Sequence, residues 1–210
     1  MTIAPAAPAH FAYSHHSLVP AIVTKSYHKL GRVKVRFPWM TDKQESNWIA
    51  VTAPAAGAKC GLFFMPEEND QVLVAFSYGH VERSYIIGVL WSEANKPPDE
   101  DRAKRQLTSR SGHTVTLDDT KDAEQISIID KSTKNKIVLD TKAKTITIES
   151  DDKLTITAKG NLVLESTGGD VSIKGKNVTI EATANLAAKG KAMTLDGTSV
   201  NVNNGALEVA

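Results

Sequence analysis

The feature that most restricts the fold of this chain is a short repeat in its second half, illustrated by residues 153–182, KLTITAKGNLVLESTGGDVSIKGKNVTIEA. Each copy has an apolar residue, a residue that is usually polar and a second apolar residue, followed by a turn of Gly, Asn, Asp or Lys. The apolar pairs advance in steps of 8, 8, 9, 7, 8, 7 and 7 residues, and they begin at Ile146, Leu154, Leu162, Val171, Val178, Leu186, Met193 and Val200. We call this the octad repeat, and its regularity indicates stacked short strands. Looser pairs precede it, namely Val115/Leu117, Ile126/Ile128 and Ile137/Leu139.

One copy of the octad repeat cannot be stable by itself. Burying its two apolar side chains contributes about 3–6 kcal/mol, whereas ordering about eight residues costs about 12 kcal/mol. A single chain could wind as a β-solenoid, but its wide interior would have few large side chains to fill it. Three chains wound about one axis would form a thin prism, since both apolar side chains of a triplet face the same way. The three-chain prism fits the small number of large apolar side chains better, although the periodicity of the repeat is compatible with both architectures.

In the three-chain arrangement, the pairs of the octad repeat face the common axis. The predicted axis residues are Ile146, Ile148, Leu154, Ile156, Leu162, Leu164, Val171, Ile173, Val178, Ile180, Met193, Leu195, Val200 and Val202. The pair at Leu186 is degenerate because its partner is Ala188. The predicted needle comprises residues 111–210.

The first half of the chain has a different composition, because all three Trp and all five Phe precede residue 92. Five or six apolar runs with period-two alternation and turn residues between them predict an all-β domain over residues 18–95, of the small OB-type barrel class. Its predicted core residues are Val33, Val35, Trp48, Phe63, Phe64, Val72, Val74, Phe76 and Trp91. Residues 1–17 are predicted to be a flexible arm, and residues 96–110, with a Pro pair and many charges, a linker.

Composition argues against several classes of partner. Lys and Arg number 25 against 24 Asp and Glu, so there is no electrostatic case for nucleic acid. No stretch approaches a membrane span and no signal peptide is recognised, which predicts synthesis in the cytoplasm and no stable membrane insertion. Cys60 has no second cysteine and is interpreted as a packed thiol.

Several segments resemble a known family: GRVKVRFPW, NWIAV, GLFFMPEENDQVLVAF, the YIIGVL strand and the SGH at 111–113. They resemble the spike proteins of contractile injection systems, which include phage baseplate assembly protein V and the VgrG proteins of type VI secretion. The resemblance covers roughly residues 18–205. It implies a homotrimer with an OB-fold collar and a β-helical needle, which pierces a target envelope when a sheath contracts and belongs to a virion or a phage tail-like particle that can be released.

The resemblance also implies partners. Few residues precede the predicted barrel, so the baseplate hub is expected to be a separate protein at the OB-fold end. No histidine follows His113, so a separate PAAR-like tip protein is expected at the C-terminal end, docked on Leu207 and Val209. Two other functions stay open: a trimeric carrier or adhesin that docks an effector without piercing, and a cell-wall or polysaccharide-degrading tail enzyme.

No residue pattern predicts catalytic residues, a cofactor or a bound metal. Adjacent histidines in a strand point to opposite faces, so a metal site is not expected at His10, His15, His16 or His28. Glu67 and Glu68 beside Pro66 are interpreted as a solvated turn. The acidic residues of 118–120 and of 151–152 do not have calcium-loop spacing and are assigned to turns. The sequence therefore predicts a structural protein that is not an enzyme.

Overall fold

The computed structural model describes residues 18–26 and 29–201. These residues contain no α-helix, only a 3-10 turn at Ser77–Gly79. The strands are β1 (Val19–Lys25), β2 (Arg32–Arg36), β3 (Ile49–Val51), β4 (Ala56–Gly57), β5 (Cys60–Gly61), β6 (Gln71–Phe76), β7 (Ser84–Leu90), β8 (Lys104–Thr108), β9 (Thr114–Asp118), β10 (Gln125–Ile129), β11 (Lys136–Asp140) and β12 (Thr145–Glu149). No helix in this described part is both long and apolar enough to cross a membrane.

Five strands close into a barrel in the order β1-β2-β3-β7-β6. Strands β3 and β7 are parallel, and the other four contacts are antiparallel. The period-two pattern of the sequence produces this barrel because alternate residues of a strand face opposite sides. In β6, Val72, Val74 and Phe76 are buried while the residues between them are partly exposed. The predicted OB-type barrel is thus confirmed.

The core of the barrel consists of small and medium apolar side chains around one phenylalanine pair. The buried residues are Ala21, Val23, Val33, Val35, Phe37, Ile49, Val72, Val74, Phe76 and Ile86. The rings of Phe37 and Phe76 lie 5.5 Å apart, and Trp39 stacks on Phe37 at 4.7 Å. Five of the predicted core residues lie in this set.

The other four predicted core residues do not. Trp48 is half-buried at the barrel edge, with the Lys34 ammonium 5.6 Å from its ring centre. Phe63, Phe64 and Trp91 are exposed, Phe63 to 82%. Their assignment to the core was wrong, because the barrel closes around its valines and Phe37 and leaves these aromatic side chains outside.

Strands β8 to β12 form a second sheet, in which each strand pairs antiparallel with the next along the chain. We call it the meander sheet. It begins at Lys104, inside the segment predicted to be a linker, so strand pairing starts before the expected needle boundary at residue 111. Barrel and meander sheet belong to one compact unit that ends at Leu154.

A second unit begins at Thr155. From Thr155 to Asn201 the described residues contain no assigned strand, and all of them are exposed. This segment contains most of the octad repeat. Its apolar pairs have no core among the described residues, as expected from the free-energy estimate for one copy.

Candidate interaction surface

The meander sheet carries two rows of apolar side chains on one face. Residues directly opposite in an antiparallel ladder point to the same side, and the register aligns the pairs of successive strands. The first row is Leu107, Val115, Ile128, Ile137 and Ile148, and the second is Leu117, Ile126, Leu139 and Ile146. We call these nine side chains the apolar face.

The apolar face is uncovered in the single chain. Its exposed fractions run from 38% at Ile137 to 72% at Ile146. The opposite face is the less exposed one: Ser127 on β10 is buried at 7%, and Thr116, Val138 and Thr147 on the neighbouring strands are half-buried. The usual relation between polarity and burial is therefore inverted, and a contiguous apolar surface of this kind marks an interaction site.

The hairpin turns of the meander sheet are held by aspartates at strand ends. Asp118 accepts hydrogen bonds from the backbone N–H and the hydroxyl of Thr120, at 2.9 and 2.6 Å. These hydrogen bonds lower the pKa of Asp118, the hydroxyl contributing most. The interpretation of residues 118–120 as turn chemistry agrees with these contacts.

The turn between β10 and β11 is the most strongly bonded. The Asp130 carboxylate accepts hydrogen bonds from the Ser132 hydroxyl at 2.7 and 2.9 Å and from the Asn135 amide at 3.1 Å. These bonds, with that of Ser132 foremost, lower the pKa of Asp130 to about 2. Thr133 takes the left-handed conformation with φ 63°. The turn fixes the register of β10 against β11 and so the alignment of the apolar rows.

Ion pairs border the meander sheet without covering the apolar face. Lys136 pairs with Glu149 at 3.0 Å, and Lys134 pairs with Asp151 at 2.8 Å. Both pairs are substantially exposed, and such pairs contribute about 0–1 kcal/mol each. Asp151 thus has a lysine partner, which accounts for this carboxylate without a bound cation.

The segment before β6 connects the barrel to the β8 end of the apolar face. Phe64 lines one open groove of about 770 Å³ together with Leu107 and Val115. Glu67 in the same segment pairs with Arg110 in the β8–β9 turn at 2.9 Å. Sequence reasoning assigned Glu67 to a solvated turn and Phe64 to the core, and it missed Leu107 because this residue lay in the expected linker. The sequence carries no alternation signal there, because Leu107 is the one apolar residue of β8.

The remaining predicted sites differ in what the structure describes. No group of three or more His, Cys, Asp or Glu residues is placed to hold a metal ion within residues 18–26 and 29–201. Cys60 is exposed on β5, so its interpretation as a packed thiol was wrong: β4 and β5 form a two-stranded hairpin outside the barrel sheet. His10, His15, His16, His28, Val202, Leu207 and Val209 lie outside the described residues.

The predicted axis residues are surface residues of the single chain. The described members beyond Ile148 are exposed by 53% to 70%, with the lowest values at Val178 and Val200 and the highest at Leu164. Their assignment to a common axis stays a prediction.

Comparison with known proteins finds relatives of the barrel. Residues 19–91 match the type VI secretion system/phage-baseplate injector OB domain. Over 116 residues the chain is 29% identical to the actin cross-linking toxin VgrG1 of Vibrio cholerae serotype O1. This alignment covers 52% of this chain and 10% of the toxin. The chain is 28% identical over 113 residues to the type VI secretion system spike protein VgrG1a of Pseudomonas aeruginosa, covering 47% of this chain and 18% of the relative. These matches confirm the resemblance to VgrG-like spikes.

A shorter match reaches 33% identity over 72 residues with spike protein VgrG2a of Pseudomonas aeruginosa, covering 32% of this chain and 9% of the relative. The chain thus spans less than a fifth of the length of these curated relatives.

Proposed function

We propose that this chain is the central spike of a contractile injection system, because residues 19–91 match the type VI secretion system/phage-baseplate injector OB domain. In this proposal three copies form a collar of barrels and one β-helical needle, and the needle pierces the target envelope when a sheath contracts. The observation that carries the proposal is the uncovered apolar face, which continues in sequence into the octad repeat.

The apolar face supports a three-chain needle. Nine large aliphatic side chains on one side of a five-stranded sheet need a cover, and three such sheets can cover one another around an axis. Burying one Val, Leu or Ile side chain fully contributes about 1.5–3 kcal/mol. Each of the nine side chains is already partly shielded, so the free energy gained by burying it is smaller than this. The trimer, however, gains this free energy from all nine side chains of each of its three copies. An association of three copies therefore has a large driving force.

The octad repeat supports the same arrangement for a second reason. From Thr155 onward, its described residues have neither a core nor strand partners among the residues that the structure describes. Backbone N–H and C=O groups that leave water need hydrogen-bond partners. In an intertwined prism, strands of neighbouring copies supply these partners, while the apolar pairs fill the axis.

This architecture suits a part that transmits axial force. A closed prism is hydrogen-bonded between chains along its length and has no exposed strand edges along its sides that could pair with other proteins. We expect the barrels to contact a hub protein of the baseplate and the far end of the needle to carry a PAAR-like tip.

The first test is the oligomeric state. Light scattering of the purified full chain at micromolar concentration should give a mass three times that of the 22.7 kDa chain. A mass near that of one chain would contradict the three-chain needle.

The piercing role needs the parent particle. Particles that lack this chain should lose delivery into target cells, and micrographs of complete particles should show one needle below the baseplate. Particles without the chain that still penetrate but deliver no effector would instead identify it as a carrier. A polysaccharide-degrading activity in the purified trimer would favour a tail enzyme.

A further inference from the structure

The β8 end of the apolar face is incomplete, if the side chains that one strand places on the face are counted as one layer. Strands β9 to β12 each place two apolar side chains on this face, but β8 places only Leu107 there. The position beside it is occupied by Arg105, which lies opposite Leu117 and pairs with Asp119 at 2.6 Å. The layer contributed by β8 is therefore one large apolar side chain short.

Phe64 offers a second large apolar side chain at the β8 end of the apolar face, beside the first row that begins with Leu107 and not at the Arg105 position. It borders the same groove as Leu107, Val115 and Ile128, although it belongs to the segment between β5 and β6. The ion pair between Glu67 and Arg110, at 2.9 Å, joins this segment to the β8–β9 turn. Yet Phe64 is 59% exposed in the single chain, so its own barrel and sheet do not bury it.

We propose that Phe64 extends the first row of the apolar face beyond Leu107, so that three Phe64 rings, one from each copy, close the barrel-side end of the needle axis. The inference rests on the proposed trimer and names its partner as two further copies of this chain. The surface is continuous with the apolar face, since Phe64 and Leu107 line one groove. Phe64 then belongs to the interface between copies.

The closure has a consequence for the spike. Aromatic rings in offset or edge-to-face contact add about 0.5–1.5 kcal/mol per pair beyond their buried area. Around a threefold axis they would seal the layer above Leu107 and exclude water from the rows below. The needle is then a solid rod at its barrel end, without an aqueous path along its axis.

Photo-crosslinking tests which residues meet at the axis. The photoreactive amino acid p-benzoylphenylalanine replaces Phe64 in the full chain, and the same substitution at Tyr78 is the control. Tyr78 is 82% exposed and follows the far end of β6, about 20 Å along the strand from its start near Asp70. After irradiation, the position 64 variant should give covalent dimers and trimers on a denaturing gel, and the control should not.

The outcomes separate this inference from the proposed function. A trimeric mass with crosslinks between chains at position 64, mapped by mass spectrometry to residue 64 or to Leu107, supports the axial closure. A trimeric mass with crosslinks only within one chain overturns it and leaves the spike proposal standing. A monomeric wild-type mass overturns both.

A second pair of variants guards against effects of the bulky probe. Phe64→Asp should lose the trimer at micromolar concentration, because it places three carboxylates in one apolar layer, whereas Tyr78→Asp should retain it. A Phe64→Asp chain that stays as trimeric and as heat-resistant as Tyr78→Asp would refute the closure.

Discussion

Substitutions at two neighbouring residues of β12, Thr147 and Ile148, test whether the stability of this chain depends on trimer formation. In the single chain Ile148 is 54% exposed, and Thr147 beside it is less exposed. If the chain functions as a monomer, Ile148→Asp should be tolerated and Thr147→Asp should be the more harmful change. If the apolar face is the needle interior, the order reverses.

The size of the effect follows from the position of Ile148. Losing a buried isoleucine costs about 1.5–3 kcal/mol in each chain, or about 5–9 kcal/mol over three chains at full burial. The substituted carboxylates add desolvation and mutual repulsion, because the symmetry brings three of them to one level. Thr147→Asp places its carboxylates on the other side of the sheet, where water or lysine side chains can reach them.

The assay is thermal melting and light scattering of both variants at one protein concentration, since the stability of an oligomer depends on concentration. Burial and repulsion raise the pKa of the introduced carboxyl in the trimer. The neutral acid is therefore the form that the trimer favours, and the defect of Ile148→Asp should shrink as the pH falls below the raised value. Ile148→Asn, which keeps the shape without the charge, should show a smaller defect that is independent of pH. Equal melting temperatures for Ile148→Asp and Thr147→Asp would refute the inward assignment.

Three further predictions address other parts of the chain. The pKa of Asp130 is lowered to about 2, so its carboxylate stabilises the β10–β11 turn at pH values above the ordinary pKa of an aspartate. The difference in melting temperature between wild type and Asp130→Asn should be constant near neutral pH and vanish as the pH falls from about 4 to 2. A difference that stays constant from about pH 4 to pH 2 would contradict this role of Asp130. A fragment ending at Pro97 should retain the β-rich circular dichroism of a folded barrel with weak or absent trimerisation, and an unfolded fragment would show that the barrel needs the meander sheet. Elemental analysis of the purified trimer should find no stoichiometric iron or zinc, and a stoichiometric metal would contradict the prediction that this chain binds none.

The sequence predicted those features that depend on local alternation. The strands of the barrel follow from apolar residues at every second position, as in β6, where Val72 and Val74 face the core. The pairs at Val115/Leu117 and Ile126/Ile128 likewise placed two strands of the meander sheet. What alternation cannot specify is which strands pair, and the antiparallel order of β8 to β12 depends on hairpin turns such as the one that Asp130 organises.

The errors concern residues whose surroundings are not local in sequence. Large aromatic side chains usually signal a core, and on that ground the sequence predicts Phe63, Phe64 and Trp91 to belong to one. The barrel has room for Phe37 and Phe76 among its valines, and hydrophobicity carries no information on whether a side chain is buried by its own chain or by another. The same ambiguity applies to the apolar face, which composition describes as core and the single chain leaves exposed.

Dependence on partners increases along the chain. The barrel closes its own hydrogen bonds and buries its own core, with Val33, Val35, Val72 and Val74 fully enclosed. The meander sheet satisfies its internal hydrogen bonds but leaves its apolar face uncovered. From Thr155 onward, the octad repeat has neither strand partners nor a core within the described residues. If three copies supply the missing strand partners and core, the needle becomes ordered only on assembly, whereas the barrel is ordered without it. Dissociation should therefore unfold the octad repeat beyond the meander sheet and expose the apolar face of that sheet to aggregation. The barrel should stay folded.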